Sequence, residues 1–348
     1  MNGRDARLLP KAHLHLHFTG SMRHDTLCEL ADRHGVHLPD VLRDQWPPRL
    51  RATDERGWFR FQRLYDIARS CIRTPSDVRR LLREAAEDER DDGSGWLEIQ
   101  VEPTSYAPRL GGLTPTVELI LAAAQEAAAA AGVGIGLIIG ANRTRHPLDA
   151  RTLARLAAQY AGRGIVGFGL ANDERRGRGA DFEGAFRIAH RAGLLAVPHG
   201  GELTGARSVW DCLDILRAHR VGHGVRAVED PRLVDRIASD GVVLEVCPTS
   251  NLSLGVAEKP EDVPLRQLYD AGVRLALGAD DPLLFGSRLT DQYELARDVL
   301  GFSDPDLAEL ARHAVHASAA PAGVKAGLLA GVDAWLAPGG GGRRLGEG

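Results

Sequence analysis

Short apolar segments alternate with longer helix-like segments along most of this 348-residue chain. The apolar segments have the length and composition of buried strands. The predicted strands are Ala12–His17, Trp96–Val101, Gly134–Ile139, Ile165–Leu170, Leu194–Pro198, Arg220–Gly222, Val242–Cys247 and Val273–Gly278. Predicted helices between them include Pro115–Ala130, Asp149–Tyr160, Phe182–Ala192, Ser208–Ala218, Pro231–Ser239 and Val263–Ala271. About eight repeats of strand and helix favour an α/β fold, the (β/α)8 barrel of the TIM type.

An open doubly wound sheet is the weaker alternative, because no glycine-rich fingerprint follows the first predicted strand. One connection is much longer than the others: the segment between His17 and Trp96 contains several helical stretches, including RGWFRFQRLYDIARSCIR. Long connections in compact domains often form active-site lids. We therefore expect extra helices that form a lid between strand one and strand two. A helical pair that covers the barrel end with solvated arginines is a compatible alternative.

Composition limits the class of protein. Charged residues make up 26% of the chain and the formal net charge is −4. This balance gives no electrostatic reason to expect a nucleic-acid or membrane partner. The first residues show no signal-peptide pattern, and four scattered cysteines show no disulfide or metal spacing. We expect a cytoplasmic enzyme with one domain over residues 1–337 and a flexible glycine-rich tail over 338–348. The sequence indicates no oligomeric state.

Metal-capable side chains recur where the predicted strands end, which is the active-site face of such a barrel. His15 and His17 lie two residues apart on strand one, so their imidazoles project from one face. His199 ends strand five, and Asp280 and Asp281 end strand eight. Two histidines, a third histidine and a carboxylate form a mixed nitrogen and oxygen site suited to zinc.

Two further residues near these strand ends can take part in acid–base chemistry. Glu202 follows His199 by three residues, and a desolvated carboxyl group beside a metal can keep a proton to donate. A helix-capping glutamate is the alternative. His223, at the end of strand six, can hold or deprotonate a metal-bound water. His13 shares the face of His15 but lies deeper, where we expect a hydrogen-bonded core histidine.

Five motifs in the order HLHLHFTG, HGGE, RVGHG, CPTSN and DDP resemble the adenosine deaminase family of the amidohydrolase superfamily. The resemblance extends from strand one to strand eight. It implies one Zn²⁺, or another divalent metal, bound by His15, His17, His199 and Asp280. It also implies proton donation from Glu202 to N1 of a 6-aminopurine nucleoside, water positioning by His223, binding of N7 by Asp281, and release of ammonia. The H-x-E and P-C-x-x-C signature of the other zinc deaminases is absent.

Three positions differ from the family pattern. Thr19 replaces the aspartate that binds the ribose 5′-hydroxyl, Asn172 replaces a glycine near purine N3, and Gln100 replaces an arginine. The HLHFTGSMR form resembles the subgroup that deaminates 6-aminodeoxyfutalosine to futalosine in menaquinone biosynthesis. We expect Thr19 to make room for the carboxyphenyl ketone arm at C5′ of that nucleoside, and the backbone N–H of Asn172 to serve purine N3.

The carboxylate of that arm requires a cationic partner. The candidate arginines are Arg23, Arg60, Arg63, Arg69 and Arg73. Two other functions stay open at this point. One is an ordinary adenosine deaminase that converts adenosine to inosine. The other is a non-catalytic barrel that keeps a structural metal, against which Glu202 and His223 argue, because structural zinc sites are normally closed by four protein ligands.

Overall fold

Eight parallel strands form a single sheet whose spatial order is the order of the chain, β1 to β8. The computed structural model describes residues 3–51 and 54–338. The last strand returns to the first: the amide of His17 donates to the carbonyl of Asp280, and the amide of Asp280 donates to the carbonyl of His15. These bonds join the two edges of the sheet at the active-site end. The predicted (β/α)8 barrel is confirmed.

The elements follow one another with helices on the outside of the sheet. The strands are β1 Lys11–His17, β2 Ser94–Val101, β3 Gly134–Asn142, β4 Ile165–Ala171, β5 Leu195–Gly200, β6 Arg220–His223, β7 Val243–Val246 and β8 Arg274–Leu277. The α-helices of the described residues are α1 His24–His34, α2 Asp40–Arg43, α3 Glu55–Ser70, α4 Pro75–Asp91, α5 Leu113–Ala131, α6 Pro147–Gln159, α7 Glu183–Arg191, α8 Ala206–Trp210, α9 Pro231–Asp240, α10 Pro248–Ser253, α11 Leu265–Asp270, α12 Pro282–Phe285, α13 Leu289–Asp298, α14 Asp304–Ala317 and α15 Ala322–Leu336.

All eight predicted strands are present, with ends shifted by at most three residues. The helix predicted over Ser208–Ala218 differs, because α8 is short and continues as a π-helical turn over Asp211–Ile215. This helical segment packs against the end of β5, because the thiol of Cys212 lies 3.6 Å from the carbonyl oxygen of His199.

Four helices, α1 to α4, occupy the long connection between β1 and β2, as predicted. Helix α3 begins where the Asp54 carboxylate accepts a hydrogen bond from the amide of Gly57. Helix α4 begins with a capping box between Thr74 and Asp77, followed by Pro75 in the first turn. Apolar residues of α3, including Trp58 and Phe61, are buried. This segment therefore folds back over the barrel end.

His13 does not share the face of His15, contrary to our prediction. The register of β1 against β2 shifts between His13 and Leu16, so simple alternation of side chains fails there. The imidazole Nε2 accepts a hydrogen bond from the amide of Ala279, and Nδ1–H therefore donates to Glu89 of α4 at 2.7 Å. His13 is a hydrogen-bonded core histidine, but it connects the strand to an outer helix.

The predicted tail falls largely outside the described residues, since only Pro338 of that range is included. The single-domain assignment over residues 1–337 stays a prediction. Among residues 3–51 and 54–338, no helix is both long and apolar enough to cross a membrane.

A buried ion network lies inside the barrel. The guanidinium of Arg220 donates to Glu245 at 2.6 Å and to Glu98 at 2.5 Å, and all three side chains are essentially inaccessible. A further guanidinium N–H donates to the carbonyl of Ala317. Opposite charges that are buried together are tolerable only while every partner is present, because an unpaired buried charge carries its full desolvation cost.

Replacing Arg220 with alanine is expected to destabilise the fold by about 3–5 kcal/mol, because Glu98 and Glu245 would lose their shared cation. Urea unfolding of the wild type and the variant measures this change. The control is Arg236→Ala, which removes an exposed arginine paired with Asp240 within α9 and should leave the unfolding midpoint unchanged. A loss for Arg220→Ala no larger than that of the control would contradict the prediction.

Candidate active site

A cavity opens at the carboxyl ends of the strands, beneath helix α3. Including its open mouth it encloses about 760 Å³. Its floor contains His17, His199, Glu202, His223, Asp280 and Asp281. The ends of β1, β5, β6 and β8, which are far apart in sequence, therefore deliver their side chains to one place. This is the site that the sequence predicts.

Four predicted metal ligands converge in this cavity. The Nε2 atoms of His17 and His199 are 3.3 Å apart, and Nε2 of His17 is 3.2 Å from an oxygen of Asp280. His15 approaches the same Asp280 oxygen at 3.7 Å through its Nε2. Tetrahedral zinc with nitrogen and oxygen ligands at about 2.0–2.1 Å requires ligand atoms about 3.3 Å from one another. The observed separations match that requirement.

The tautomer of His15 also fits a metal. Its Nδ1–H donates to Glu245 at 2.8 Å, which leaves the Nε2 lone pair directed at the cluster. Among the described residues, that nitrogen has no hydrogen-bond partner although it is fully buried. Buried polar atoms are rarely left unpaired, so a ligand for this lone pair is expected. The donor set of three imidazoles and a carboxylate therefore accommodates a divalent metal, and zinc suits it.

Two of these strand ends carry unusual backbone conformations. His223 has φ of 62° and Asp280 has φ of 61°, in the left-handed region that non-glycine residues seldom adopt. Asp280 is held by the hydroxyl of Ser250, which donates to its second carboxylate oxygen at 2.6 Å. Such conformations persist where surrounding contacts enforce them, and they commonly aim side chains in functional sites. Here they turn both side chains into the cavity.

Glu202 and His223 have the protonation states that general acid–base chemistry needs. Burial, together with the negative charges of Asp280 and Glu174, raises the pKa of Glu202 well above its usual value. Burial, together with the neighbouring histidines, lowers the pKa of His223 to about 3. The two side chains approach each other at 3.7 Å. These shifts favour the proton-donating form of Glu202 and the neutral, accepting form of His223.

Asp280 and Asp281 differ in charge although they are adjacent. Burial and the negative charge of Asp280 raise the pKa of Asp281 to about 8. Burial opposes ionisation of Asp280 as well, but the hydrogen bond from His17 and the other histidines hold the pKa of Asp280 well below its usual value. Gly20 makes room for the Asp281 carboxyl group, because a Cβ there would lie 1.8 Å from its oxygen. Asp281 thus lies at the floor of the cavity with a raised pKa.

Two functional residues escape the sequence analysis. Glu174 accepts hydrogen bonds from the amides of Gly201, Glu202 and Thr204, and from the hydroxyl of Thr204. It therefore fixes the loop that carries Glu202. Arg143 is buried and donates to the carbonyl of His199 at 2.6 Å. The position of Glu174 shortly after the end of β4 is the signal that could have identified it.

The predicted substrate-binding residues occupy different positions. Asn172, at the end of β4, lines the cavity, and its side-chain amide donates to Gln62 of the lid at 3.0 Å. Thr19, which we predict to make room for the substrate arm, lies behind the cavity wall and not in it. It is fully buried, and its hydroxyl is hydrogen-bonded to the hydroxyl of Tyr106, which does line the cavity. Any effect of Thr19 on a substrate passes through Tyr106.

Of the five candidate arginines, Arg69 alone lines the cavity. Arg60 and Arg63 are exposed, while Arg73 donates to the carbonyls of His34 and Ser70, and Arg23 pairs with Glu87 and Asp88. Arg69 is stacked on Tyr65, with its guanidinium carbon 4.8 Å from the ring centre. The neighbouring wall from α3 is aromatic and consists of Trp58, Phe61 and Tyr65.

A parallel barrel with a histidine and carboxylate cluster at the carboxyl ends of its strands defines an amidohydrolase-type enzyme. The comparisons with known proteins specify it further. A family model described as adenosine deaminase matches residues 10–335. A Streptomyces virginiae protein, provisionally named an adenosine/adenine deaminase, is 68% identical over 335 residues, which cover 96% of this chain and 99% of that protein. This chain belongs to the adenosine deaminase family.

Solved structures agree with this assignment. Adenine deaminase from Arthrobacter aurescens superposes with a TM-score of 0.86 at 31% identity, over 94% of this chain and 99% of that one. An amidohydrolase from Burkholderia ambifaria, solved with bound zinc, has a TM-score of 0.83 at 27% identity, over 94% of this chain and 90% of that one. The protein is a hydrolase acting on C–N bonds, and its reaction is hydrolytic deamination of the adenosine/adenine deaminase type.

Replacing Glu174 with glutamine is expected to lower kcat at least 10-fold, because one carboxylate oxygen that accepts amide hydrogen bonds becomes an NH₂ donor and the Glu202 loop loses its anchor. Steady-state deamination rates measure the effect. Glu183→Gln, on the exposed start of α7, is the control for loss of a negative charge. Equal rates for the Glu174 variant and the control would contradict the anchoring role.

Proposed function

We propose that the chain removes the 6-amino group of a purine whose ring nitrogens are held by Glu202 and Asp281. The observation that supports this most directly is that two buried carboxyl groups with raised pKa values flank one cluster in the cavity. Purine N1 and N7 are hydrogen-bond acceptors on either side of C6. Two proton-bearing carboxyl groups are the complementary donors.

The other residues have complementary roles in this proposal. His15, His17, His199 and Asp280 would hold one zinc ion, which supplies an acidified water and stabilises negative charge when it is bound. His223, which is neutral, accepts a hydrogen bond from the attacking water and orients it toward C6. Glu202 gives its proton to N1 as the oxygen adds to C6, so that the ring does not accumulate negative charge. His223 takes one proton of the attacking water and passes it to the 6-amino group, which leaves as ammonia as the C6 carbonyl forms. The C6 hydroxyl then returns a proton to the Glu202 carboxylate.

The substrate that we propose first is 6-aminodeoxyfutalosine, converted to futalosine on the route to menaquinone. Its arm carries a phenyl ring and a carboxylate. An aromatic wall suits the ring, and a buried arginine suits the carboxylate. One terminal nitrogen of Arg69 donates to Asp66 and Ser105, whereas among the described residues its Nε has no hydrogen-bond partner. Asn172 would contact the purine through its backbone N–H. Thr19 would influence the arm through Tyr106.

Adenine or adenosine is the second candidate. The names of the relatives favour it, since the Streptomyces virginiae protein is provisionally an adenosine/adenine deaminase and the Arthrobacter aurescens structure is an adenine deaminase. Neither adenine nor adenosine carries an anionic group that could pair with Arg69. The proposed partners of the chain remain small 6-aminopurines in either case.

Ammonia release from zinc-loaded protein should therefore be fastest, by at least 10-fold in kcat/KM, with 6-aminodeoxyfutalosine when it is compared with adenosine, 2′-deoxyadenosine and adenine. Replacement of Arg69 by alanine should lower kcat/KM for the carboxylate substrate about 10- to 100-fold, the worth of a charge-assisted hydrogen bond. It should change the value for adenosine by less than about 3-fold.

The matched control is Arg63→Ala, which removes an exposed arginine one and a half turns earlier on α3. It should change neither rate. Faster deamination of adenine or adenosine by the wild type would replace the first candidate with the second. An equal loss on both substrates in the Arg69 variant would remove the proposed contact with the carboxylate.

A pair of adjacent substitutions tests the proposed division of roles at the end of β8. Asp280→Ala should lose bound zinc and at least 100-fold of kcat, because it removes the anionic metal ligand. Asp281→Ala should keep one zinc per chain and still lose activity, because it removes the donor to N7. Metal analysis of the purified variants, together with rates, distinguishes them. Retention of zinc by the Asp280 variant would argue against its proposed role.

A further inference from the structure

Gln100 lies in the cavity wall, on the strand next to the one that carries His15 and His17. It is on β2, where the sheet register pairs it with His17, so its side chain is level with the floor of the site. The cavity includes both residues together with Asn172, Glu202 and Asp281. This side chain has no part in the metal site or in the acid–base roles described above.

The carboxamide of Gln100 is buried without a partner. Its residue is 3% exposed, and among the described residues neither its oxygen nor its nitrogen makes a hydrogen bond. A buried amide with both groups unpaired is costly, so such a group normally has a ligand or water as its partner. Gly169 on β4 gives it space, because a Cβ at that position would lie 3.2 Å from the Gln100 oxygen.

The position of Gln100 relative to the proposed acids determines which part of a purine it can meet. Glu202 follows β5 and Asp281 follows β8, and in the proposed function they hold N1 and N7, with C6 at the cluster. The opposite edge of the ring, with N3 and N9, then faces the arc formed by β2, β3 and β4. Gln100 and Asn172 line that arc.

We propose that Gln100 is a specificity-determining residue that binds the N3–N9 edge of the substrate. This inference rests on the proposed function. The amide NH₂ donates to N3, where it replaces the backbone N–H of Asn172 as the donor, and the amide oxygen accepts from the donor beside N3. That donor is N9–H in a free base and the 2′-hydroxyl in a nucleoside. One carboxamide thus reads an acceptor and a donor side by side, as Asn and Gln do at other adenine edges.

The test compares each substrate that the wild type deaminates with its 3-deaza analogue, in which C–H replaces N3. In the wild type, loss of N3 should lower kcat/KM about 10- to 100-fold, the effect of one buried hydrogen bond with an unpaired partner. In Gln100→Leu the same change of substrate should cost less than about 3-fold. Calorimetric affinities for the deaminated product and its 3-deaza form should show the same pattern without turnover.

Two further pairs of substrates show whether the donor beside N3 is N9–H or the 2′-hydroxyl. Adenine and 9-methyladenine differ only in N9–H, and adenosine and 2′-deoxyadenosine differ only in the 2′-hydroxyl. Gln100→Leu should abolish the preference within the pair that the enzyme uses. Failure of the proposed function would appear as absence of deamination by the zinc-loaded wild type, whereas the product affinities still report on Gln100 independently of that result.

Gln62→Leu is the matched control, because Gln62 is also a cavity glutamine but is already hydrogen-bonded to Asn172. The Gln62→Leu variant should lower kcat/KM for both members of a substrate pair by the same factor. The melting temperature of Gln100→Leu should equal or exceed that of the wild type, since an unpaired buried amide is removed. Gln100→Met serves as a second variant of similar volume. An equal 3-deaza penalty in the wild type and in both Gln100 variants would overturn the proposal, as would a melting temperature several degrees lower in both variants.

Discussion

The hydrogen bond between Glu245 and His15 connects the stability of the barrel to the chemistry at its end. Glu245 shares the charge of Arg220 with Glu98 inside the barrel and, through its other oxygen, fixes the tautomer of His15. Without an ionised Glu245, Nδ1–H would lose its acceptor and Nε2 would no longer be held as a lone-pair donor. The buried cation of Arg220 is therefore a condition for the metal site as well as for the fold.

A second consequence of burial is that the carboxyl groups of one cavity have pKa values shifted in opposite directions. The histidines around Asp280 lower its pKa, whereas burial and the negative charge of Asp280 raise the pKa values of Asp281 and Glu202. The ionised carboxylate thus adds to the effect of burial in favouring the protonated forms of the other two. A binding site for a ring with two acceptor nitrogens needs this combination, because the metal requires an anion and the ring requires donors.

The sequence was sufficient to predict the barrel and the convergence of its strand ends, because both follow from rules about periodicity and topology. Contacts that depend on local irregularity were not predictable in this way. A register shift in β1 moved His13 to the outer helix, and a close approach to Tyr106 buried Thr19. Glu245 was overlooked although it interrupts an apolar strand, VVLEVC, where a charge requires a buried partner.

The departures from the family pattern lie on one side of the cavity, and this has a physical reason. The end that holds C6 must supply the same ligands and donors to every 6-aminopurine, so it tolerates little change. In the proposed function the opposite wall meets whatever is attached to the ring. Asn172 and Gln100 line that wall, and Thr19 supports its Tyr106. The resemblance implies an arginine where this chain has Gln100, and an amide there would match a neutral edge of donors and acceptors instead of an anion. In the proposed function, therefore, one side of the cavity selects the substrate and the other side carries out the reaction.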